Sequence, residues 1–260
     1  MSATGDGGRI PAAAADRGTL PEPQVRAMFD RIARVYDLMN SVMTAGLHHQ
    51  WRRRAADLAQ VGPGDRVLDV ATGTGDLAIE LASRVGAGGE VVASDFSEEM
   101  LVHARSKVDS GRARPGSAPI RFEWANALEL PYADGEFAAA TVGFGARNFS
   151  DLDRGLAEMA RVVRPGGHVV ILEITTPQRP PLSTFFSLWF DRLVPMIGKV
   201  AGDSDAYDYL PNSVKRFPEP PGLAAAMERA GLERIRWILT AGGIIALHVG
   251  TRPEAGTPVE

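Results

Sequence analysis

Ten residues, Val67-Leu68-Asp69-Val70-Ala71-Thr72-Gly73-Thr74-Gly75-Asp76, run from an apolar stretch into two glycines flanked by acids, and Asp95 follows twenty residues beyond Gly75. Glycines at 73 and 75 have no Cβ, so the backbone can turn sharply and approach a ligand closely. An acid at the end of the following strand can accept hydrogen bonds from a ribose diol. This is the layout of a nucleoside-cofactor site in an open α/β sheet. The glycines alone leave the cofactor open, since Gly73-x-Gly75-x-x-Ala78 also satisfies a loose dinucleotide fingerprint. The neighbouring charges discriminate. A pyrophosphate wants the bare positive end of a helix, whereas Asp76 stands at that helix start and Asp69 just before the turn. A cofactor with an ammonium and a sulfonium centre tolerates both, and S-adenosylmethionine is such a cofactor. The plainer roles are a helix cap for Asp76 and a solvated strand end for Asp69.

The alternation around this turn predicts what positions it. Helical spacing of Val25, Met28, Phe29, Ile32 and Val35 marks a helix over Gln24–Val35, and a second runs from Leu47 to Ala59. Between them Tyr36-Asp37-Leu38-Met39-Asn40 reads as a cap or crossing segment. Strands are predicted at Arg66–Ala71, Glu90–Ser94, Ile120–Trp124, Phe137–Phe144 and His168–Ile174. Helices are predicted at Asp76–Arg84, from Ser97 to about Lys107, and at Asp151–Val163. Such alternation predicts a mainly parallel sheet covered on both faces. After Pro218–Ala230, a helix, Arg234–Thr240 and Ile244–Gly250 are joined only by Ala241-Gly242-Gly243, which predicts a closing antiparallel hairpin.

Composition narrows the classes. The 260 residues are 45% hydrophobic, enough for one substantial domain, and a net charge of −4 argues against a general nucleic-acid binder. No cysteine is present, which removes disulfides, thiolate nucleophiles and thiolate metal sites and is compatible with the cytosol. Residues 1–20 read as a disordered tail, 21–253 as a single domain and 254–260 as a second tail. The longest apolar stretch, 181–198, is interrupted by Asp191, Arg192 and Pro195 and does not read as a membrane span.

Several segments together carry a family resemblance: Tyr36-Asp37-Leu38-Met39-Asn40, Gly46-Leu47-His48 with Trp51-Arg52, Gly143-Phe144-Gly145-Ala146-Arg147-Asn148, Arg164-Pro165-Gly166-Gly167 and Ala241-Gly242-Gly243-Ile244-Ile245-Ala246-Leu247-His248. With the glycine turn they resemble the ubiquinone/menaquinone biosynthesis C-methyltransferases, over roughly residues 24 to 253. The resemblance implies an α/β class I methyltransferase fold, Rossmann-like, with a mainly parallel seven-stranded sheet, a terminal antiparallel hairpin and helices on both faces. It implies S-adenosylmethionine held by Gly73, Thr74 and Gly75, by Asp95 and by Asn126 and Ala127. It implies methylation of a ring carbon of a prenylated quinol. A naphthoquinol is the first expectation, demethylmenaquinol going to menaquinol, and the benzoquinol precursor of ubiquinone is the alternative. Ala146 departs from the family's usual Leu, and Gly143 from its frequent Ser.

That chemistry sets three tasks: bring the methyl to about 3 Å from the ring carbon, exclude water and stabilise a phenolate. A phenol has a pKa near ~10, so a neighbouring cation helps. Arg147 is the expected cation, with Asn148 as hydrogen-bond partner and Tyr36, beside Asp37, near the entrance. Arginine stays protonated, so water or another side chain must take the proton. The competing role for Arg147 is an ion pair with Asp151 or Asp153.

The histidines read as structural. His48 and His49 are adjacent and point apart on a helix, His103 and His168 lie on predicted elements, and His248 either lines a pocket or makes a structural hydrogen bond. No metal is expected. Leu182, Phe185, Phe186, Trp189, Leu193, Met196 and Ile197 recur at helical intervals. This stripe, with Tyr207–Phe217, reads as a substrate cap over 181–217. It suits a prenyl tail, or a membrane surface that would place a cytoplasmic protein peripherally at the inner face of the cell membrane. The other occupants are the domain core and a second copy of the chain in a homodimer. Two rival functions remain on sequence alone. One is an NAD-dependent oxidoreductase, which lacks an evident hydride-transfer group; the other is a non-catalytic scaffold on the same fold.

Overall fold

The computed structural model describes residues 22–44, 46–177, 180, 182–188 and 204–254. Both predicted tails fall almost wholly outside these, as do residues 189–203 of the predicted cap.

Two helices precede the sheet, α1 (Glu22–Thr44) and α2 (His48–Leu58). The alternating part follows: β1 (Arg66–Val70), α3 (Asp76–Val85), β2 (Glu90–Asp95), α4 (Glu98–Lys107), β3 (Ile120–Trp124), β4 (Phe137–Gly143), α5 (Leu152–Val162) and β5 (Val163–Ile174). Then come α6 (Leu182–Leu188), α7 (Ser204–Arg216), α8 (Pro220–Arg229), β6 (Glu233–Thr240) and β7 (Ile245–Thr251). One seven-stranded sheet has the order β3-β2-β1-β4-β5-β7-β6. Its first five strands are parallel, and β7 runs antiparallel to both β5 and β6. The expected hairpin is therefore present, with β7 inside and β6 at the edge.

Two apolar clusters cover the two faces. One packs Leu68, Phe137, Met159 and Ile171 beneath α5 and α8, and the other packs Val67, Leu81, Val91 and Leu172 beneath α2 and α3. Each fully buried side chain of this size contributes about 1.5–3 kcal/mol relative to exposure. Successive strand residues alternate between the clusters, as Val67 and Leu68 do, because strand side chains point alternately to opposite faces.

Two elements differ from the sequence expectation. Helix α1 does not stop at Val35 but continues through Tyr36–Asn40 to Thr44. The stretch has no glycine or proline to end it. Strand β5 begins at Val163 rather than His168, and its register with β4 jumps between Phe137/Val163 and Ala139/His168. Pro165-Gly166-Gly167 forms a bulge within the strand rather than a loop before it. A Cβ on Gly167 would stand 2.4 Å from the Ala138 carbonyl oxygen, so only glycine fits where the bulge meets β4.

The two rims of the sheet differ. At the strand beginnings, Arg66 pairs with Glu90 at 2.6 Å and with Glu136, and Asp65 pairs with Arg164 at 3.1 Å. At the strand ends the order reverses between β1 and β4, and that switch point is where parallel sheets open a crevice.

Candidate functional site

Ala71 and Phe144, the residues that follow β1 and β4, both take left-handed backbone conformations, with φ of 50° and 62°. Such strain in residues with side chains costs about 1–3 kcal/mol each and clusters at functional sites. Here it splays the two chains apart at the switch point. A cleft opens between them, lined by Ala71, Gly73 and Thr74 on one side and by Gly143, Phe144, Gly145 and Asn148 on the other.

The glycine turn and the second acid are assembled as one unit. The Asp95 carboxylate accepts the Gly73 amide at 2.8 Å and the Ser97 amide at 2.9 Å, and it lines the cleft. Burial pushes its pKa up to about 6, against the opposing pull of those backbone amides. A carboxylate has about four acceptor sites, so capacity remains for two ribose hydroxyls. Gly73 has φ of 56° and faces the cleft. Gly75, at φ 82°, caps α3 and is not among the lining residues; a Cβ there would press on Ala104 at 3.2 Å and on the Phe122 ring at 3.3 Å. Its glycine serves the packing of the turn on α4 and β3.

The charge argument from sequence needs correction at one of its two acids. Asp69 does line the cleft, buried and held by the hydroxyls of Thr72 and Thr141, each at 2.6 Å. Burial raises its pKa to about 6. Asp76 is absent from the lining and caps nothing, since Gly75 holds the cap position. Its carboxylate is engaged by Arg52 at 3.0 Å and by Lys107 at 2.8 Å. Burial would raise its pKa, and these two cations overcome that and hold it low.

Arg52, which in sequence stands only as part of a family segment, has no role assigned there. It is buried on α2, lines the cleft, bridges to Asp76 and lies over the Phe144 ring at 5.7 Å. It supplies a cation at the glycine-turn end of the cleft. Its i, i+4 relation to His48 was the available signal. His48 and His49, expected to point apart, bring their ring centroids to 4.0 Å, and with Asp76 their ligand atoms lie within 4.8 Å of one another. Arg52 contacts His48 as well as Asp76, so protein cations already engage this cluster. Burial first and Arg52 second lower the His48 pKa to about 4.

Asn126 and Ala127 line the opposite end of the cleft. The Asn126 carbonyl oxygen accepts the Leu128 amide at 2.9 Å, and its Nδ2 donates to Glu22 on α1 at 3.1 Å. These bonds use one of its two Nδ2 hydrogens and one of its two Oδ1 lone pairs, which leaves one donor and one acceptor on the side chain. Thr74 likewise donates to Asp37 of α1 at 2.5 Å.

The structure separates the two members of the Arg147-Asn148 pair. Asn148 lines the cleft, and its buried Oδ1 has no hydrogen-bond partner among the described residues. Arg147 is not among the lining residues. It is buried, its guanidinium bonds to Glu173 at 2.7 Å and to the Phe144 carbonyl at 2.6 Å, and its amide bonds to Glu173 at 3.3 Å. Neither Asp151 nor Asp153 is its partner: Asp151 caps α5, and Asp153 pairs with Arg229. This geometry places Arg147 behind the turn that presents Asn148. The Tyr36 side chain lies outside the described residues.

Part of the cap is described. Phe186 on α6 and Val214 on α7 are buried against Ile174 and Ile244, and Arg216 donates to the Arg147 carbonyl at 3.2 Å. The side chains of Leu182, Phe185, Trp189, Leu193, Met196 and Ile197 lie outside the described residues. His248 is buried, stacks on Trp237 and bonds through Nε2 to the Pro220 carbonyl at 3.0 Å, a structural position away from the cleft. Among the described residues no helix is long and apolar enough to cross a membrane.

Comparison with known proteins agrees with this architecture. A methyltransferase from Aquifex aeolicus described as S-adenosylmethionine-dependent superposes with a TM-score of 0.56 at 19% identity, over 76% of this chain and 88% of its own. The [4+2]-cyclase SpnF superposes with a TM-score of 0.64 at 16% identity, over 88% and 96%. These likenesses concern the fold. In sequence, the demethylmenaquinone methyltransferase of Thermus thermophilus is 44% identical over 87% of this chain and 100% of its own length. That of Deinococcus radiodurans is 46% identical over 88% and 92%. The ubiquinone/menaquinone biosynthesis C-methyltransferase of Teredinibacter turnerae is 41% identical over 88% and 91%. The model of the ubiE/COQ5 methyltransferase family matches residues 18–252. With an acid-lined nucleoside cleft at the switch point, the chain is an S-adenosylmethionine-dependent methyltransferase and belongs to the ubiE/COQ5 methyltransferase family.

Proposed function

We propose that this enzyme methylates a ring carbon of a prenylated quinol, with demethylmenaquinol as substrate and menaquinol as product. Relatives at 44% and 46% identity carry the name demethylmenaquinone methyltransferase, and the cleft holds groups suited to the reaction. Bound S-adenosylmethionine supplies an electrophilic methyl group. The residues fit that cofactor: Asp95 takes the ribose hydroxyls, Gly73 allows close approach, and the backbone around Ala127 borders the base. Arg52 suits the carboxylate of the amino-acid end, and Asp69 its ammonium.

The observation that carries the quinol assignment is the buried, unpartnered Oδ1 of Asn148 in the cleft wall. A buried acceptor without a donor costs about 1–3 kcal/mol, and a ring hydroxyl would relieve that cost. Asn148 then orients the hydroxyl whose oxygen activates the neighbouring carbon. Its amide cannot take the proton outright, so the hydroxyl proton passes to solvent. Once the ring carbon carries the methyl, the hydrogen on that carbon leaves as a proton and the oxygen is reprotonated, so one proton is released overall beside S-adenosylhomocysteine. Phe144, Phe149 and Leu128 give the cleft apolar walls that exclude water from the ring. Arg147 acts as a positioning residue, holding the Phe144–Asn148 turn through Glu173. We place the prenyl tail along 181–217, whose apolar stripe also supports peripheral contact with a membrane surface. A second copy of the chain is the competing occupant of that stripe.

The test is methyl transfer from labelled S-adenosylmethionine by purified protein, with the ring product identified by mass spectrometry. Demethylmenaquinol should be methylated faster than the demethylated benzoquinol. Preference for the benzoquinol would reassign the substrate, and transfer to neither quinol would remove the proposal.

A further inference from the structure

Helix α1 borders the cofactor cleft and touches three of its loops, those after β1, β2 and β3, through one acid each. Glu22 accepts Asn126 Nδ2 at 3.1 Å, on the loop after β3. Asp30 accepts the Ser97 hydroxyl at 2.5 Å, two residues past Asp95. Asp37 accepts the Thr74 hydroxyl at 2.5 Å, in the glycine turn, and pairs with Lys107 Nζ at 2.5 Å. Spacings of eight and seven residues put the three carboxylates within about 80° of arc on one helix face. Glu22 and Phe29 of the same helix line the cleft, and Phe29 meets Phe96 edge-on at 6.5 Å.

From these contacts we infer that α1 is a latched gate on cofactor exchange, with Glu22, Asp30 and Asp37 as its positioning residues. The inference rests on the cleft being the S-adenosylmethionine site. Asn126, Ser97 and Thr74 belong to three separate loops, of which the glycine turn and the loop after β2 are already tied by the Asp95 carboxylate and the β3 end is tied to Phe96 by the Trp124 indole. Tying all three to one helix fixes their spacing and roofs the cleft. Lys107 is the strongest latch. Its side chain is 9% exposed, and it also reaches Thr74 at 2.9 Å and Asp76 at 2.8 Å, so one ammonium joins α1, the glycine turn, α3 and α4. The gate has a reason in the chemistry: a ligand that fills a roofed cleft can neither enter nor leave while the three bonds hold. Glu22 adds competition, because it takes one of the two Asn126 Nδ2 hydrogens at this end of the cleft.

A gate and an ordinary ligand contact differ in kinetics. Losing a contact speeds release alone, whereas loosening a gate speeds entry and release together. Association and dissociation rates of S-adenosylhomocysteine should be measured by stopped-flow fluorescence on the full chain and on Asp37→Asn, Lys107→Met and the double variant. Charge-assisted hydrogen bonds of this kind are strong enough for about tenfold effects. Each single variant should raise both rates about tenfold, leave Kd within about threefold, and show no further gain in the double variant. Asp30→Asn, which leaves the Lys107 cluster intact, should raise both rates about threefold and keeps the test available if the others fold poorly. Unchanged rates, or faster release with unchanged entry, would overturn the gate. Failure of the unaltered protein to bind S-adenosylhomocysteine would instead overturn the cofactor site on which the gate rests.

Discussion

The carboxylate of Asp95 holds the backbone amide of Gly73 at 2.8 Å, so the acid that ends β2 and the turn after β1 form one rigid edge of the cleft. The same carboxylate serves the protein and faces the ligand, which makes its charge state matter twice.

Burial lifts the pKa of both Asp95 and Asp69 to about 6 from an ordinary 3.8. The folded chain therefore keeps protons that the unfolded chain has released between those values, and the stability contribution of these two acids falls as pH rises through the window. Cofactor binding runs the other way, because ribose hydroxyls and a sulfonium need the ionised acids. Affinity for S-adenosylmethionine should drop about tenfold between pH 7.5 and pH 5.5. Asp95→Asn should weaken binding further and flatten that dependence. Calorimetric titration across pH measures both.

Gly145 stands under Ala71 at the switch point. A Cβ on it would lie 2.7 Å from the Ala71 Cβ and 3.1 Å from the Val142 side chain. Gly145→Ala should cost about 1–3 kcal/mol by overpacking and weaken cofactor binding by shifting the turn before Asn148. Gly62→Ala, where a Cβ meets nothing within 4 Å, should stay within about 0.5 kcal/mol. Denaturant unfolding of the two variants gives the comparison.

Glu173 is 1% exposed and receives both the guanidinium and the amide of Arg147. Arg147→Met strands that carboxylate and should cost about 3–5 kcal/mol. If Arg147 positions the turn, the double variant Arg147→Met/Glu173→Leu should recover much of that stability without recovering turnover. Cofactor affinity should change less than kcat in each. Full stability of the single Met variant would remove the buried pair from the account.

His248 should govern part of the acid limb of stability. Burial depresses its pKa to about 4 from 6.5, while the Pro220 carbonyl pulls weakly the other way. Its contribution is intact above pH 6.5 and is lost as pH falls toward about 4, because only the unfolded chain takes the proton. His248→Phe should lower Tm at pH 7.5, where the bond to Pro220 is lost, yet show a smaller fall in Tm between pH 6.5 and 4.5. A thermal unfolding series in pH decides it.

Sequence carried the parts of this fold that depend on neighbours along the chain. The Val67–Asp76 turn, Asp95 at the end of the next strand and the closing hairpin all rest on local periodicity and glycine chemistry. What it missed rests on distance. The competing role read for Arg147 was an ion pair with Asp151 or Asp153, nearby in the chain, but the partner is Glu173 on the adjacent strand. Asp76 was read as an acid facing the ligand because nothing local shows that Arg52 and Lys107 converge on it. Tyr36–Asn40 was read as a crossing segment, although Leu38 and Met39 continue the helical spacing of Val25–Val35 and nothing in it breaks a helix. The bulge at Gly166-Gly167 looked like a terminus because its partner strand, β4, is needed to see the register jump.

The charged belt formed by Arg66, Glu90, Glu136, Asp65 and Arg164 sits at the opposite rim from every group that meets the ligand. Desolvating ions becomes cheaper as temperature climbs, so networked pairs of this sort gain value in hot surroundings. Adaptation to heat can accordingly proceed by rewriting one end of the barrel-less sheet while the reaction at the other end is left untouched.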